Sequence, residues 1–126
     1  MSKPLAIFLG ACFLVSSGLI SAAAHAGDAA AGKKVFKKCK ACHYAAKDKN
    51  KTGPHLVNLI GREAGTVEGY KYSKAMKSSG IVWEEDTLTA YLRAPKKYLK
   101  GTKMAFAGLR KDADIVNVIA YLKAQL

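Results

Sequence analysis

The chain has 126 residues, a net charge of +12 and hydrophobic residues at 50% of its positions. This length allows one small domain and excludes a multidomain protein. Only three cysteines and three histidines are present, so few kinds of metal or cofactor site are possible.

The first predicted element is an apolar segment at the N terminus. Residues 5–24 are 20 consecutive uncharged residues, preceded by a lysine and ending in the Ala24-His25-Ala26 site. A basic start, an apolar stretch and a small-residue site are typical of a secretory signal peptide. We therefore expect residues 1–26 to be a signal peptide and residues 27–126 to be the exported domain. About 20 apolar residues also suffice to cross a bilayer, so an uncleaved membrane anchor is the alternative.

Cleavage at Ala26 would leave 100 residues, and Cys12 would be lost with the signal peptide. A domain of this size has a thin core and often needs a disulfide, a metal or a cofactor. Among the cysteines and histidines, the exported domain retains four: Cys39, Cys42, His43 and His55.

The first helix is predicted to begin near Asp28, a favourable N-cap residue. One helix face then follows at the spacing i, i+3, i+4 and i+7, made of Gly32, Val35, Phe36 and Cys39. This helix leads directly into the motif C-x-x-C-H at residues 39–43.

Three kinds of site can use this motif. A zinc site needs four converging ligands, but His43 is adjacent to Cys42 and their side chains diverge. A thioredoxin-like dithiol expects a βαβ context, whereas the preceding sequence GDAAAGKKVFKK indicates a helix. Haem attachment needs two thiols for the two vinyl groups and an adjacent imidazole for the iron, which is the pattern found here. The motif therefore favours one covalent haem, with His43 on the iron.

Loops and shorter helices follow the motif. Residues 45–71 are predicted to be a loop, and a short helix is expected from Ser73 to near Gly80. A further helix is expected from residues 84–86 to Arg93, because Pro95 disfavours helix at the residue before it. Residues 100–111 form a second predicted loop.

The last predicted helix is capped by Asp112 or Asp114. Its apolar stripe consists of Ile115, Val118, Ile119 and Leu122, which have the spacing of one helix face. No segment of the exported domain has a convincing strand pattern, so the sequence predicts an all-α protein.

The sixth position on the iron decides what the haem does. A methionine there raises the reduction potential, whereas an open position suits small-ligand binding. Met104 lies in a loop rich in lysine and glycine, where an apolar thioether gains nothing unless something covers it. Met76 has an ordinary explanation as core filling, and His55 could face solvent. The residues favour Met104 and leave His55 and Met76 open.

The exported domain resembles class I cytochromes c of the mitochondrial and soluble bacterial type along nearly its whole length. The matching stretches are CKACH, KTGPHL, LIGREAG, YSKA, GIVWEEDTLTAYLRAPKKYLKGTKMAFAGL and IAYLK. The resemblance implies the all-α cytochrome c fold, in which two or three shorter helices and loops wrap around one covalent haem. The N- and C-terminal helices would cross where Gly32 and Phe36 meet Tyr121.

The resemblance also implies a ligand set for one haem c. Cys39 and Cys42 would carry the thioether bonds, and His43 and Met104 would be the axial ligands. One departure concerns Met76, which stands where familiar members have an asparagine in the haem pocket, so a thioether takes the place of an amide in the usual polar network near the axial sulfur.

Other residues would surround the haem and its ligands. The Pro54 carbonyl would accept a hydrogen bond from the second nitrogen of His43, Tyr91 would approach the Met104 sulfur, and Phe106 would lie over the exposed haem edge. The buried propionates would be bound by Arg62, Tyr72, Trp83 and Thr102.

The charge indicates the kind of partner. Removal of residues 1–26 leaves +11, because Lys3 is the only charged side chain in that segment. Such a surface steers acidic partners, and export makes nucleic acid an improbable partner. The lysines expected to dock partners are Lys37, Lys38, Lys40, Lys96, Lys97, Lys100 and Lys103.

These observations predict a soluble, monomeric, periplasmic one-electron carrier and not an enzyme. By resemblance, the electron donor would be a cytochrome bc complex or a dehydrogenase. The acceptor would be a terminal oxidase or a photosynthetic reaction centre. A haem enzyme or small-ligand sensor with a labile sixth ligand is the alternative function.

Overall fold

The computed structural model describes residues 26–125. Within that range the chain forms five α-helices, one 3₁₀ turn and long loops, and no strand. Glu63 and Val82 form an isolated antiparallel bridge. The prediction of an all-α fold is confirmed. The predicted signal peptide lies outside the described residues except for Ala26.

In chain order the elements are α1 (Ala29–Val35), the 3₁₀ turn (Phe36–Lys38), α2 (Lys74–Lys77), α3 (Glu85–Arg93), α4 (Pro95–Tyr98) and α5 (Asp112–Lys123).

The packing of α1 against α5 is the largest contact between helices. Gly32 lies against the backbone of α5, where a Cβ atom would overlap the Asn117 carbonyl and lie 2.8 Å from Tyr121 Cβ. One turn later, the rings of Phe36 and Tyr121 pack with their centroids 5.3 Å apart. The predicted crossing of the terminal helices is therefore confirmed, and a glycine is needed because the two backbones approach so closely.

Asp28 caps α1, as the sequence predicts. Its carboxylate accepts hydrogen bonds from the backbone N–H groups of Ala30, at 2.8 Å, and Ala31, at 3.1 Å. Its own N–H donates to Asn117 Oδ1 at 2.8 Å, which fastens the helix start to α5. The end of α1 differs from the expectation, because regular helix stops at Val35 and a tighter 3₁₀ turn precedes Cys39.

Replacing Asp28 with alanine is expected to lower the free energy of unfolding by about 1 kcal/mol, because an N-cap that satisfies free N–H groups contributes about that much. Urea unfolding of the haem-loaded protein measures this loss. Asp28→Asn keeps an acceptor at the same position and should stay close to the wild type. An equal loss in both variants would show that the carboxylate charge, and not the cap, stabilises the helix.

The start of α5 corrects one prediction. Lys111 occupies the N-cap position with extended backbone and makes no side-chain cap. Asp112 and Asp114 instead lie in the first turn, where a carboxylate is stabilised by the positive end of the helix dipole. The apolar stripe of α5 is buried as predicted, at Ile115, Val118, Ile119 and Leu122.

The middle helices agree with the sequence in position but not in every boundary. Helix α3 begins after Glu84, whose side chain and that of Thr87 cap each other's backbone N–H groups. It ends at Arg93, as predicted, and Ala94 is the C-cap residue before Pro95. The proline then opens a separate one-turn helix, α4, which the sequence did not indicate, because proline is well suited to the first helical position.

Helix α2 is shorter than expected. Ser73 caps it by accepting a hydrogen bond from the Met76 N–H at 3.1 Å, but the helix ends at Lys77. Ser78 and Ser79 then donate their hydroxyl protons to the carbonyls of Lys74 and Met76. These bonds satisfy the free carbonyls at the helix end, so the chain leaves the helix before Gly80.

Among residues 26–125, no helix is both long enough and apolar enough to cross a membrane. The buried core runs from the crossing of α1 and α5 through Leu88 and Tyr91 of α3 to Trp83 and Met76. The long loops pack against this core and bring the side chains of the predicted site to one cavity.

Candidate functional site

A cavity of about 300 Å³ lies between the loops and the helices. This volume is at the lower end of the range for small-molecule and cofactor pockets, about 300–1,000 Å³. All of the site residues predicted from the sequence line this cavity, although they are spread along the chain between residues 39 and 106. They are Cys39, Cys42, His43, Pro54, Arg62, Tyr72, Trp83, Tyr91, Thr102, Met104 and Phe106.

The C-x-x-C-H motif forms one wall of the cavity as a helical turn. The N–H groups of Cys42 and His43 both donate to the Cys39 carbonyl at 3.0 Å. The Nδ1 atom of His43 lies 2.6 Å from the Pro54 carbonyl, which accepts its hydrogen bond. The ring therefore keeps Nε2 available as a ligand atom.

Gly53 makes room for the His43 ring. A Cβ atom at Gly53 would overlap His43 Cε1 and lie 2.8 Å from Nδ1. The Gly53 N–H also donates to the Cys42 carbonyl at 2.8 Å. Any side chain at this position would push the imidazole out of its place, so the glycine is a requirement of the site.

Burial sets the protonation of the groups in this wall. It lowers the pKa of the His43 imidazole, an effect that the hydrogen bond to Pro54 partly offsets. It raises the pKa of the Cys39 thiol, against the opposing effect of Lys38. The imidazole is thus held in its neutral form, which is the form that binds metals.

A loop that contains Met104 forms another part of the cavity wall. Thr102 Oγ1 lies 2.8 Å from the Tyr91 hydroxyl and accepts a longer hydrogen bond, 3.4 Å, from the Met104 N–H. Tyr91 is buried, and burial raises the pKa of its phenol despite the contact with Thr102. Its ring packs on Trp83 with the centroids 5.0 Å apart. The loop is therefore held to α3 by a side-chain hydrogen bond beside the methionine.

A half-buried cation is also present in the cavity wall. Arg62 donates to the carbonyls of Val57, at 2.7 Å, and His55, at 3.0 Å. Burial lowers the pKa of its guanidinium, which nevertheless stays charged, and a guanidinium has five N–H donors in all. The hydroxyl of Tyr72 accepts a hydrogen bond from the Val67 N–H at 3.3 Å. Arg62 and Tyr72 together offer donors suited to a carboxylate within the cavity.

His55 and Met76, the alternatives to Met104 as the sixth ligand, lie in different surroundings. His55 does not line the cavity; its Nε2 atom lies 2.8 Å from Asp48 Oδ1, and its Nδ1 atom is buried without a hydrogen-bond partner in the described part of the chain. Met76 does line the cavity and is only 8% exposed. The structure therefore brings two thioethers, Met76 and Met104, to one site.

Two cavity residues were missed by sequence reasoning. One is Gly53, which the sequence placed only within the predicted loop at residues 45–71. The other is Tyr70, whose ring packs edge-on against Tyr72 with the centroids 4.7 Å apart and whose hydroxyl donates to the Thr52 carbonyl at 2.8 Å. The sequence signal for Tyr70 was that it is a second aromatic residue only two positions before the predicted site residue Tyr72.

The seven lysines proposed as docking residues are all exposed. Two of them, Lys38 and Lys103, line the cavity itself. Lys38 lies 3.9 Å from Asp114, and Lys103 donates to the Lys71 carbonyl at 2.6 Å. Positive charge is therefore present at the edge of the cavity.

An all-α fold around a cavity that presents two cysteines, an adjacent histidine and methionine thioethers defines a c-type haem protein. The donor set fits that group, because it combines two thiols, a neutral imidazole with a free Nε2 atom, apolar walls and a guanidinium whose charge suits a carboxylate.

Comparison with known proteins gives the family. The cytochrome c family model matches residues 29–125. The chain is 50% identical over 105 residues to cytochrome c of Guizotia abyssinica, which covers 82% of this chain and 95% of that protein. It is 52% identical over 97 residues to cytochrome c-550 of Nitrobacter winogradskyi, covering 76% and 89% respectively. The structure of cytochrome cH from Methylobacterium extorquens is similar with a TM-score of 0.74 and 45% identity, over 78% of this chain and 99% of that one.

The chain belongs to the cytochrome c family. It carries one covalently attached haem c and is an electron carrier, not an enzyme.

Proposed function

We propose that this cytochrome is exported to the periplasm, where it carries single electrons between acidic redox proteins. Residues 1–26 would be the signal peptide and residues 27–126 the exported domain. His43 and Met104 would be the axial ligands of the haem bound through Cys39 and Cys42. The observation that carries this proposal is that these four residues line one cavity, with exposed lysines at its edge.

The ligand segments support a fixed coordination on both sides of the iron. Pro54 and Gly53 hold the His43 ring in one orientation, and Thr102 holds the segment before Met104 to Tyr91. When bound, the haem supplies a one-electron Fe(II)/Fe(III) couple. Because the chain orients both ligands before any electron arrives, little rearrangement has to accompany a change of oxidation state.

The surroundings of the cavity favour a raised reduction potential. The wall is largely apolar, and a methionine ligand raises the potential relative to a second histidine. Trp83, Tyr91 and Phe106 are part of this lining and would exclude water from the haem. Arg62, Tyr72, Trp83 and Thr102 would hold the two propionates.

The partners are proposed from charge. The docking lysines would attract an acidic surface on a cytochrome bc complex or dehydrogenase as donor, and on a terminal oxidase or reaction centre as acceptor. Exposed charges are screened over about 8 Å at physiological ionic strength, so such complexes are short-lived. The protein would act as a monomer, which allows the same surface to serve both partners in turn.

Stopped-flow kinetics with an isolated cytochrome bc complex or oxidase test this function. The association rate constant should fall ~10-fold or more from low to high salt, because electrostatic steering is lost. Lys40→Gln and Lys100→Gln should each lower the rate at low salt. Lys77→Gln, which removes an exposed lysine outside the docking set, is the matched control. A rate independent of salt, or an equal loss in all three variants, contradicts docking by these lysines.

A further inference from the structure

The segment that holds His43 is itself attached to the haem motif by a side chain. The chain bends at residues 51–53, which precede Pro54, and in this turn the Lys51 N–H donates to the Gly53 carbonyl at 2.9 Å. The Gly53 N–H donates a hydrogen bond to the Cys42 carbonyl, and the Pro54 carbonyl accepts one from His43 Nδ1 at 2.6 Å. The position of the His43 ring therefore depends on where this turn lies relative to residues 39–43.

Lys51 connects the turn to the middle of the motif. Its Nζ atom donates to the carbonyl of Lys40, the residue after Cys39, at 2.7 Å. The same Nζ atom lies 4.1 Å from the centroid of the Tyr44 ring, the residue after His43. One ammonium group thus contacts the chain both before Cys42, at Lys40, and after His43, at Tyr44.

Both contacts are of a kind that fixes geometry. A hydrogen bond from an ammonium group is shorter and stronger than one between neutral groups, and a cation over an aromatic face is attracted by the ring. By contrast, the Lys47 ammonium lies farther from the same ring, at 5.5 Å. Lys51 is therefore distinguished from its neighbouring lysines by two simultaneous contacts.

We propose that Lys51 is a positioning residue for His43, which holds the Pro54 carbonyl against the imidazole and so sets the strength of the bond from His43 to the iron. This proposal rests on the proposed role of His43 as a ligand. It separates Lys51 from the docking lysines, because its ammonium group contacts both a carbonyl within the haem motif and the Tyr44 ring, whereas the docking lysine Lys103 donates to a carbonyl outside the motif. The hydrogen bond from a ligating histidine to a carbonyl raises the basicity of the ligand, so a looser Pro54 contact weakens electron donation to the iron.

The reduction potential distinguishes positioning from charge because the two effects have opposite signs. Loss of a positive charge near the haem favours the more positive, oxidised iron and lowers the potential. Weaker donation from His43 favours the reduced iron and raises it. Lys49→Met removes a lysine charge from the same exposed loop, so it measures the first effect. Lys51→Met removes the charge and both contacts while keeping a long apolar side chain, so it combines the two effects.

The experiment uses the purified haem-loaded protein at constant ionic strength, with circular dichroism to confirm that each variant is folded. We expect the potential of Lys51→Met to lie above that of Lys49→Met. The paramagnetically shifted NMR signals of the His43 ring should move in Lys51→Met and stay in place in Lys49→Met. Lys51→Arg keeps a cationic donor and should restore the wild-type signals.

Equal potentials in Lys51→Met and Lys49→Met, with unmoved His43 signals, would overturn the proposal and make Lys51 an ordinary surface charge. Failure of Lys51→Arg to restore the signals would also contradict it. The absence of a paramagnetically shifted His43 ring from the wild-type spectrum would instead refute the ligation by His43. The two failures are thus distinguishable.

Discussion

Replacing Gly32 with valine is expected to lower the free energy of unfolding by about 3 kcal/mol or more, the upper part of the range for overpacking a closely packed site. A Cβ atom at this position would overlap the Asn117 carbonyl of α5 and crowd Tyr121 Cβ at 2.8 Å. These are backbone or near-backbone atoms, so no rotamer change relieves the clash. The two helices have to separate, and the packing of Phe36 on Tyr121 is weakened with them.

Urea unfolding of the haem-loaded protein measures this effect, and Ala30→Val is the matched control. Ala30 lies on the same helix but is exposed, so a valine there loses only helix propensity, less than about 0.7 kcal/mol. The total stability of a domain is about 5–15 kcal/mol, so the Gly32 variant should unfold at a much lower urea concentration. Similar losses in the two variants would mean that the helix crossing contributes little to stability.

The sequence predicted the features of this fold that depend on neighbouring residues. The cap at Asp28 follows from a side chain that bonds to N–H groups two and three positions later. The buried stripe of α5 follows from helical periodicity, and the C-x-x-C-H turn is a local motif. Each of these is decided within about one or two helical turns, a distance over which sequence patterns are informative.

Features that depend on contacts between distant segments were not predictable from the residues alone. Gly53 is required by the ring of His43, and the place of His55 beside Asp48 depends on how the loop folds back. Helix α4 was missed because Pro95 was treated only as the end of α3, although a proline also begins a helix well. The crossing at Gly32 was expected from the family resemblance, since periodicity shows a helix face but not what the face meets.

The same limit applies to the choice of sixth ligand. Loop composition favoured Met104, yet Met76 and Met104 both line the cavity. Their exposure differs, because Met76 is buried within the core and Met104 is only partly buried against it. Substitution of Met76 should therefore mainly lower stability, whereas substitution of Met104 should mainly change the haem.

Met104→Ala is expected to abolish the weak far-red iron–thioether band of the oxidised protein, to give a high-spin spectrum and to lower the reduction potential. The physical reason is that alanine leaves the iron without its thioether ligand, and that ligand raises the potential. Optical spectroscopy and redox titration of the haem-loaded variant measure these changes. Electron exchange with the partner should be lost in the same variant, since the potential no longer suits the carrier.

Met76→Ala is the matched control, because it removes a second thioether from the same cavity. It should keep the far-red band but lower the free energy of unfolding by about 2–5 kcal/mol, as for other buried methionines. The opposite pattern, with the band lost in Met76→Ala and kept in Met104→Ala, would make Met76 the ligand. Loss of the band in both variants would show that the core packing of Met76 is needed to hold Met104 on the iron.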